Sequence, residues 1–137
     1  MADNNIGKLE RLNSFINNSA TISEFAGADI AEPAHKAVMY DTDGNVVLAT
    51  SGDKAIGLIL SSVIDPIKKG GQVSVLIKYI GLLEAGSAIG KGDFVTINSS
   101  GQGVKASGGA FIFGRAFTSA AVAGETVQVQ INPMGSL

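Results

Sequence analysis

The chain of 137 residues has no cysteine. That absence excludes a disulfide framework, a thiolate metal site, an iron–sulfur cluster and a cysteine nucleophile. Histidine is almost missing too. His35 is the single one, so any histidine dyad or triad would have to be built around it. It sits in Glu32-Pro33-Ala34-His35-Lys36, ahead of a predicted strand, and reads as a structural or surface residue. Tryptophan is absent and tyrosine occurs twice, as Tyr40 and Tyr79, which is thin material for a sugar-binding platform. An excess of one charge is also lacking. Ten basic against twelve acidic residues give a net charge of −2, not the basic footprint of a nucleic-acid binder. The adjacent pair Lys68-Lys69 reads as a solvated turn. No apolar run approaches the roughly 20 residues that cross a bilayer. The first twenty residues carry charge and asparagine where a signal peptide has its apolar stretch. The composition therefore predicts a soluble protein made without export, with no nucleic-acid or membrane partner.

What the chain has in quantity is glycine, eighteen residues of it, among short runs of valine and isoleucine. This pattern predicts an all-β domain with many turns. Val127, Val129 and Ile131 alternate with Gln128, Gln130 and Asn132, as in a half-buried strand. Val73, Val75 and Ile77 repeat the pattern. Phe111, Phe113 and Phe117 mark another strand, whose apolar face could be core or a subunit contact; core is favoured. Asp43-Gly44 between Val38–Tyr40 and Val46–Leu48 is a hairpin signal, because glycine accepts the positive φ of a tight turn. Ahead of all this, residues 6–18 carry Ile6, Leu9, Leu12, Phe15 and Ile16 at helical spacing and predict a short amphipathic helix. Residues 19–24 are expected to connect it to the strands. The division is an N-terminal arm over 1–24 and a β domain over 25–137.

Within that domain the sequence repeats itself. VMYDTDGNVVLAT at 38–50 aligns with VTINSSGQGVKAS at 95–107. Val38, Gly44, Val47 and Ala49 recur as Val95, Gly101, Val104 and Ala106. Gly57 recurs as Gly114, and Val73, Val75 and Ile77 as Val127, Val129 and Ile131. AGADI at 26–30 echoes AGSAI at 85–89. Two copies of one β unit, about 26–80 and 85–132, predict either a pseudo-symmetric pair of small sheets or one small closed barrel. Either limits exposed strand edges.

Chemical motifs fail one by one. GSAIGKG at 86–92 is a residue short of a phosphate-binding loop and has Gly92 where a magnesium-binding hydroxyl belongs. GQGVKASGG at 101–109 lacks dinucleotide-binding spacing. DTDGN at 41–45 begins like a calcium loop but has Gly52 where the closing carboxylate belongs. Asp65, Glu84, Asp93 and Glu125 fall at predicted strand ends, where turns collect acidic residues. No catalytic, cofactor-binding or metal residue is assigned, no cofactor is expected, and the chain is read as a non-enzyme. Asp53-Lys54-Ala55 resembles the modified-lysine triplet of lipoyl domains, but Gly52 precedes it where that family usually has Thr or Ser. A carrier domain modified on Lys54 is the weakest alternative.

The ordered series as a whole resembles the head decoration, or capsid cement, proteins of tailed bacteriophages. The stretches are AGADIAEPAHKAVMYDTDGNVVLATSGDKAIGLIL, GGQVSVLIKYIGLLEAGSAIGKGDFVTINSSGQGVKASG and GRAFTSAAVAGETVQVQI, covering about 25–132. The resemblance implies a small pseudo-duplicated β-barrel or sandwich, usually a homotrimer. It implies a virion protein, made in the host cytoplasm, that sits on the outer capsid surface. There it would bind the major capsid protein after the shell expands and bridge neighbouring subunits. A head-surface module for host or glycan attachment is the alternative. The arm residues Ile6, Leu9, Leu12, Phe15 and Ile16 are the candidate contacts, with the capsid, with a neighbouring subunit or with the chain's own core. A lone helix of about a dozen residues is marginal in water, so the arm needs one of these partners.

Overall fold

A computed structural model describes residues 19–137. The helix expected over residues 6–18, and with it Ile6, Leu9, Leu12, Phe15 and Ile16, lies outside the described residues. Among those described there are strands and turns but no α-helix. The first five strands are β1 (Thr21–Phe25), β2 (Ala37–Tyr40), β3 (Val46–Leu48), β4 (Gly57–Ile59) and β5 (Gln72–Leu76). They make an antiparallel sheet in the order β1-β5-β4-β2-β3. The next five are β6 (Tyr79–Glu84), β7 (Phe94–Ile97), β8 (Gly103–Lys105), β9 (Phe111–Ala116) and β10 (Thr126–Ser136). Their order, β6-β10-β9-β7-β8, repeats the first strand for strand.

Each sheet curls until its two edges touch. Just past β1, Ala26 forms a parallel bridge to Val46 in β3; just past β6, Ala85 forms one to Gly103 in β8. The fold is thus a pair of small, nearly closed β units with little open edge. The duplicated all-β fold expected from the sequence is borne out, and of the two arrangements left open it takes the paired sheets.

The repeat extends to individual hydrogen bonds. The carboxylate of Asp41 accepts from the Asp43 and Asn45 amides at 2.9 and 3.0 Å. In the second unit the Asn98 side-chain oxygen accepts from the Ser100 and Gln102 amides at 2.8 and 3.0 Å. Both are side-chain-stabilised turns, each ending on a glycine at positive φ, Gly44 at 81° and Gly101 at 74°. This is why Asp and Asn interchange there: the turn requires an acceptor on a short side chain, not a charge. The calcium-like DTDGN is accordingly a hairpin turn. Gly57 and Gly114 match for a different reason. A Cβ on Gly57 would lie 2.2 Å from the Leu76 carbonyl oxygen, and one on Gly114 would lie 2.0 Å from that of Gln130. In both units a neighbouring strand crosses too close for any side chain.

The two units have separate but touching cores. Ala26, Ile30, Val38, Val46, Ile59, Ile67, Val73 and Val75 fill the first. The second is larger, with Leu83, Ile89, Val95, Phe113, Val127 and Val129 at its centre, and it takes in Ala37, Ala49 and Leu58 from the first unit. Each such large apolar side chain contributes roughly 1.5–3 kcal/mol by leaving water. In β10, Val127, Val129 and Ile131 are buried while Gln128 and Gln130 are exposed, as alternation requires. Phe113 is wholly buried, whereas Phe111 and Phe117 are half-buried.

Residues 19–24 depart from expectation. They are not simply a connector, since β1 occupies Thr21–Phe25 and pairs with β5 from Thr21↔Leu76 to Phe25↔Gln72. Its residues are partly polar on both faces, so pairing with a strand fifty residues away makes it a strand, not a pattern of its own.

Candidate functional site

Among the described residues, the most developed polar site is the junction between the two units. Lys36, at the entry to β2, is buried, and its Nζ lies 3.0 Å from Oε2 of Glu84 at the end of β6. The Gln102 side-chain amide donates to the same oxygen at 2.6 Å. Backbone bonds fasten the junction on both sides. The Ala37 amide donates to the Gly101 carbonyl at 2.8 Å, and the Glu84 amide donates to the His35 carbonyl at 2.8 Å. Burial by itself would raise the Glu84 carboxyl's pKa. The Gln102 hydrogen bond, the hydrogen bond and charge of Lys36, and nearby His35 outweigh it and hold the group below its ordinary 4.5. A cleft of about 350 Å³ opens here, lined by Glu32, Lys36, Leu48, Glu84, Ser100 and Gln102. His35 takes a left-handed backbone conformation at φ 62°, and its Nδ1 is buried without a hydrogen-bond partner. The structural role expected for His35 fits a residue whose backbone carbonyl joins the units. The arrangement has a paired cation and a paired carboxylate; what it does physically is tie the two units together.

A second cleft, of about 340 Å³, lies between the sheets, lined by Leu58, Leu60, Leu76, Ile80 and Leu82 with the polar Ser61 and Gln128. A third lies where the turn over 51–54 packs on the second unit, beside Thr96 and Phe111. Gly52 in that turn is buried, and a Cβ on it would meet the Thr96 hydroxyl at 2.3 Å. The turn carrying exposed Lys54 therefore lies against the second unit at Gly52.

The other residues singled out from the sequence fall mostly on turns. Lys68 and Lys69 are exposed at one, where the Lys69 amide donates to Asp29 at 2.8 Å. The GSAIGKG stretch is a turn as well, with the Gly90 amide donating to Asp93 at 2.7 Å and Gly92 at φ 90°. Glu125 caps its own turn by accepting from the Ala121 and Val122 amides. Tyr40 and Tyr79 are exposed on different sheets, Tyr40 donating to Glu24 and Tyr79 lying under the Lys78 ammonium. Among the described residues, no cluster of three or more His, Asp or Glu side chains could hold a metal, and no helix is long and apolar enough to cross a membrane. The junction trio of Lys36, Glu84 and Gln102 is not marked by any sequence motif. Its only trace is a lysine and a glutamate beside strand ends that the repeat does not duplicate.

No family model matches the chain, and no curated protein matches it significantly. Among solved structures it is similar to the N base of head fiber gp8.5 of bacteriophage phi29. The TM-score is 0.62 at 21% identity, over 85% of this chain and 96% of that one. The likeness spans most of this chain and nearly all of the other, and shows a shared fold.

Proposed function

We propose that this chain is a structural protein of a tailed-bacteriophage head, one that binds the outer surface of the expanded capsid and stabilises it by bridging major capsid protein subunits. The observation that carries the proposal is the fold, a duplicated β unit shared with a phage head-fiber base. The ordered resemblance to capsid cement proteins over about 25–132 points to the same place in the virion. The physical character of the molecule suits the task. Two cores joined by an ion-paired and hydrogen-bonded junction suit a preorganised contact surface, which lowers the conformational cost of binding. In this reading the protein acts as a homotrimer by contact alone, without a cofactor or a catalytic step, and residues 1–18 supply the additional capsid grip.

The test is co-sedimentation of the purified protein with expanded, undecorated shells of its own phage, with unexpanded procapsids alongside. Saturable binding to the expanded shells alone is expected. Failure to bind either shell overturns the proposal. A head-surface module for host or glycan attachment is the second reading, favoured by the likeness to the base of a head fiber; binding in a glycan screen together with loss of host adsorption on deletion would select it.

A further inference from the structure

The junction is built from one half of a duplicated set of parts. The turn of the second unit, residues 98–102, docks on the first unit. There the Gly101 carbonyl accepts from the Ala37 amide, and a Cβ on Gly101 would lie 2.9 Å from the Ala37 carbonyl oxygen and 3.6 Å from Leu48. The first unit has the same turn, residues 41–45, with the same side-chain bonds, and no neighbour among the described residues comes near its tip. Thr42, Asp43 and Gly44 are exposed, and a Cβ on Gly44 would meet nothing within 4 Å. The receiving ledge is duplicated too. In the repeat, Ala37 and Leu48 correspond to Phe94 and Lys105. One chain thus uses one turn and one ledge and leaves the other turn and the other ledge over.

We infer that the unused turn of one copy docks on the unused ledge of a second copy, repeating between chains the contact already made within one. The side chains at the two surfaces support this beyond their shape. Inside the chain, the docked turn Asn98-Ser99-Ser100-Gly101-Gln102 is uncharged. The free turn carries Asp41 and Asp43; on the free ledge Arg115 lies over the Phe94 ring at 4.5 Å, and Lys105, about two-thirds exposed, lies 4.0 Å from Asp93, the counterpart of Lys36. Lys105 and Arg115 outnumber Asp93, so the ledge keeps a net positive charge where the acidic turn would meet it. The place that Glu84 holds in the internal junction corresponds to Phe25, a phenylalanine 60% exposed at the end of β1. Docking would cover this exposed ring beside Asp93, in the place where the internal junction has its ion pair. Such a contact is head-to-tail, since the two surfaces differ, and it closes into a ring when the rotation between units permits. It specifies the subunit contact of the homotrimer proposed above, yet it stands or falls without capsid binding.

Sedimentation equilibrium of the full chain tests it, with two kinds of variant. Gly44→Asn fits the positive φ, for which asparagine is the most tolerant residue with a side chain, and it meets open space within its own chain. It should leave the far-ultraviolet circular dichroism spectrum unchanged but weaken association about tenfold or more, because its Cβ would meet the Phe94 carbonyl of the neighbouring copy. Asp43→Lys and Lys105→Asp should each weaken association, and the double reversal should restore it. A wild-type chain of single-copy mass at every concentration overturns the inference, as does Gly44→Asn or the charge reversals associating as tightly as the wild type. Capsid co-sedimentation is scored separately: loss of capsid binding with self-association intact refutes the proposed function and leaves this contact standing.

Discussion

Removing Glu84 and removing Lys36 should not cost the same, although they form one ion pair. Glu84→Ala strands the Lys36 ammonium, whose side chain is only 8% exposed, at the heart of the junction. Lys36→Met keeps the packed stem and leaves Glu84 with the Gln102 amide and with water, its side chain being 23% exposed. Breaking a fully buried pair by deleting one partner costs about 3–5 kcal/mol, whereas replacing a buried charge by an apolar side chain of similar volume is often neutral. The cleft lets some water reach the ammonium, so the expected loss is ~2–3 kcal/mol for Glu84→Ala against ~0–1 for Lys36→Met. Urea unfolding with slopes compared reads both, and an unchanged slope shows that the compactness of neither state has moved. Equal losses, or a larger loss for Lys36→Met, would refute the reasoning. The pair also sets a pH dependence. The folded Glu84 carboxyl titrates below its ordinary 4.5, so its contribution is fully present above that value. It is lost as pH falls through the lower folded value. The stability gap between the wild type and Glu84→Gln should therefore narrow below pH 4.5 and hold steady above it.

Three further outcomes follow from the fold. Gly57→Ala and Gly114→Ala should each destabilise strongly, by about 2–4 kcal/mol in urea, because the new methyl collides with a neighbouring strand's carbonyl in both units; a mild effect at either site would contradict the close approach. Phe113→Ala should cost ~3–5 kcal/mol by opening a cavity in the second core, whereas Phe111→Ala, at a half-buried position, should cost clearly less in the same assay. Deletion of residues 1–18 should leave the melting temperature of the β units nearly unchanged and weaken capsid binding in co-sedimentation; a collapse of the melting temperature would instead assign the arm to the core.

Much of this architecture is legible in the amino-acid sequence because duplication writes the same constraints twice. Gly44 and Gly101, like Gly57 and Gly114, align since each pair answers one backbone demand, and the alternating valines of β5 and β10 align since each set fills a core face. The exchange of Asp41 for Asn98 is legible as similarity and acquires its meaning only from the turn it caps. Two things stay hidden. Strand β1 and its counterpart β6 lack clean alternation: Ser23 and Glu24 interrupt one, Gly81 the other, and both are strands by virtue of distant partners. The junction is hidden for a related reason. Lys36, Glu84 and Gln102 come from separate segments, and their meeting is a product of how the two units pack. Duplication predicts each unit and says nothing of the contact between them. The candidate contact residues of the arm, Ile6, Leu9, Leu12, Phe15 and Ile16, lie outside the described residues, and the deletion experiment is what addresses them.

If the double unit bridges capsid subunits from outside, electron cryomicroscopy of expanded shells saturated with the protein reveals it directly. The expected result is density on the outer surface, fitted by the paired β units, with each bound assembly touching at least two neighbouring capsid subunits. Density confined to a single subunit, or on the inner surface, would contradict the bridging role.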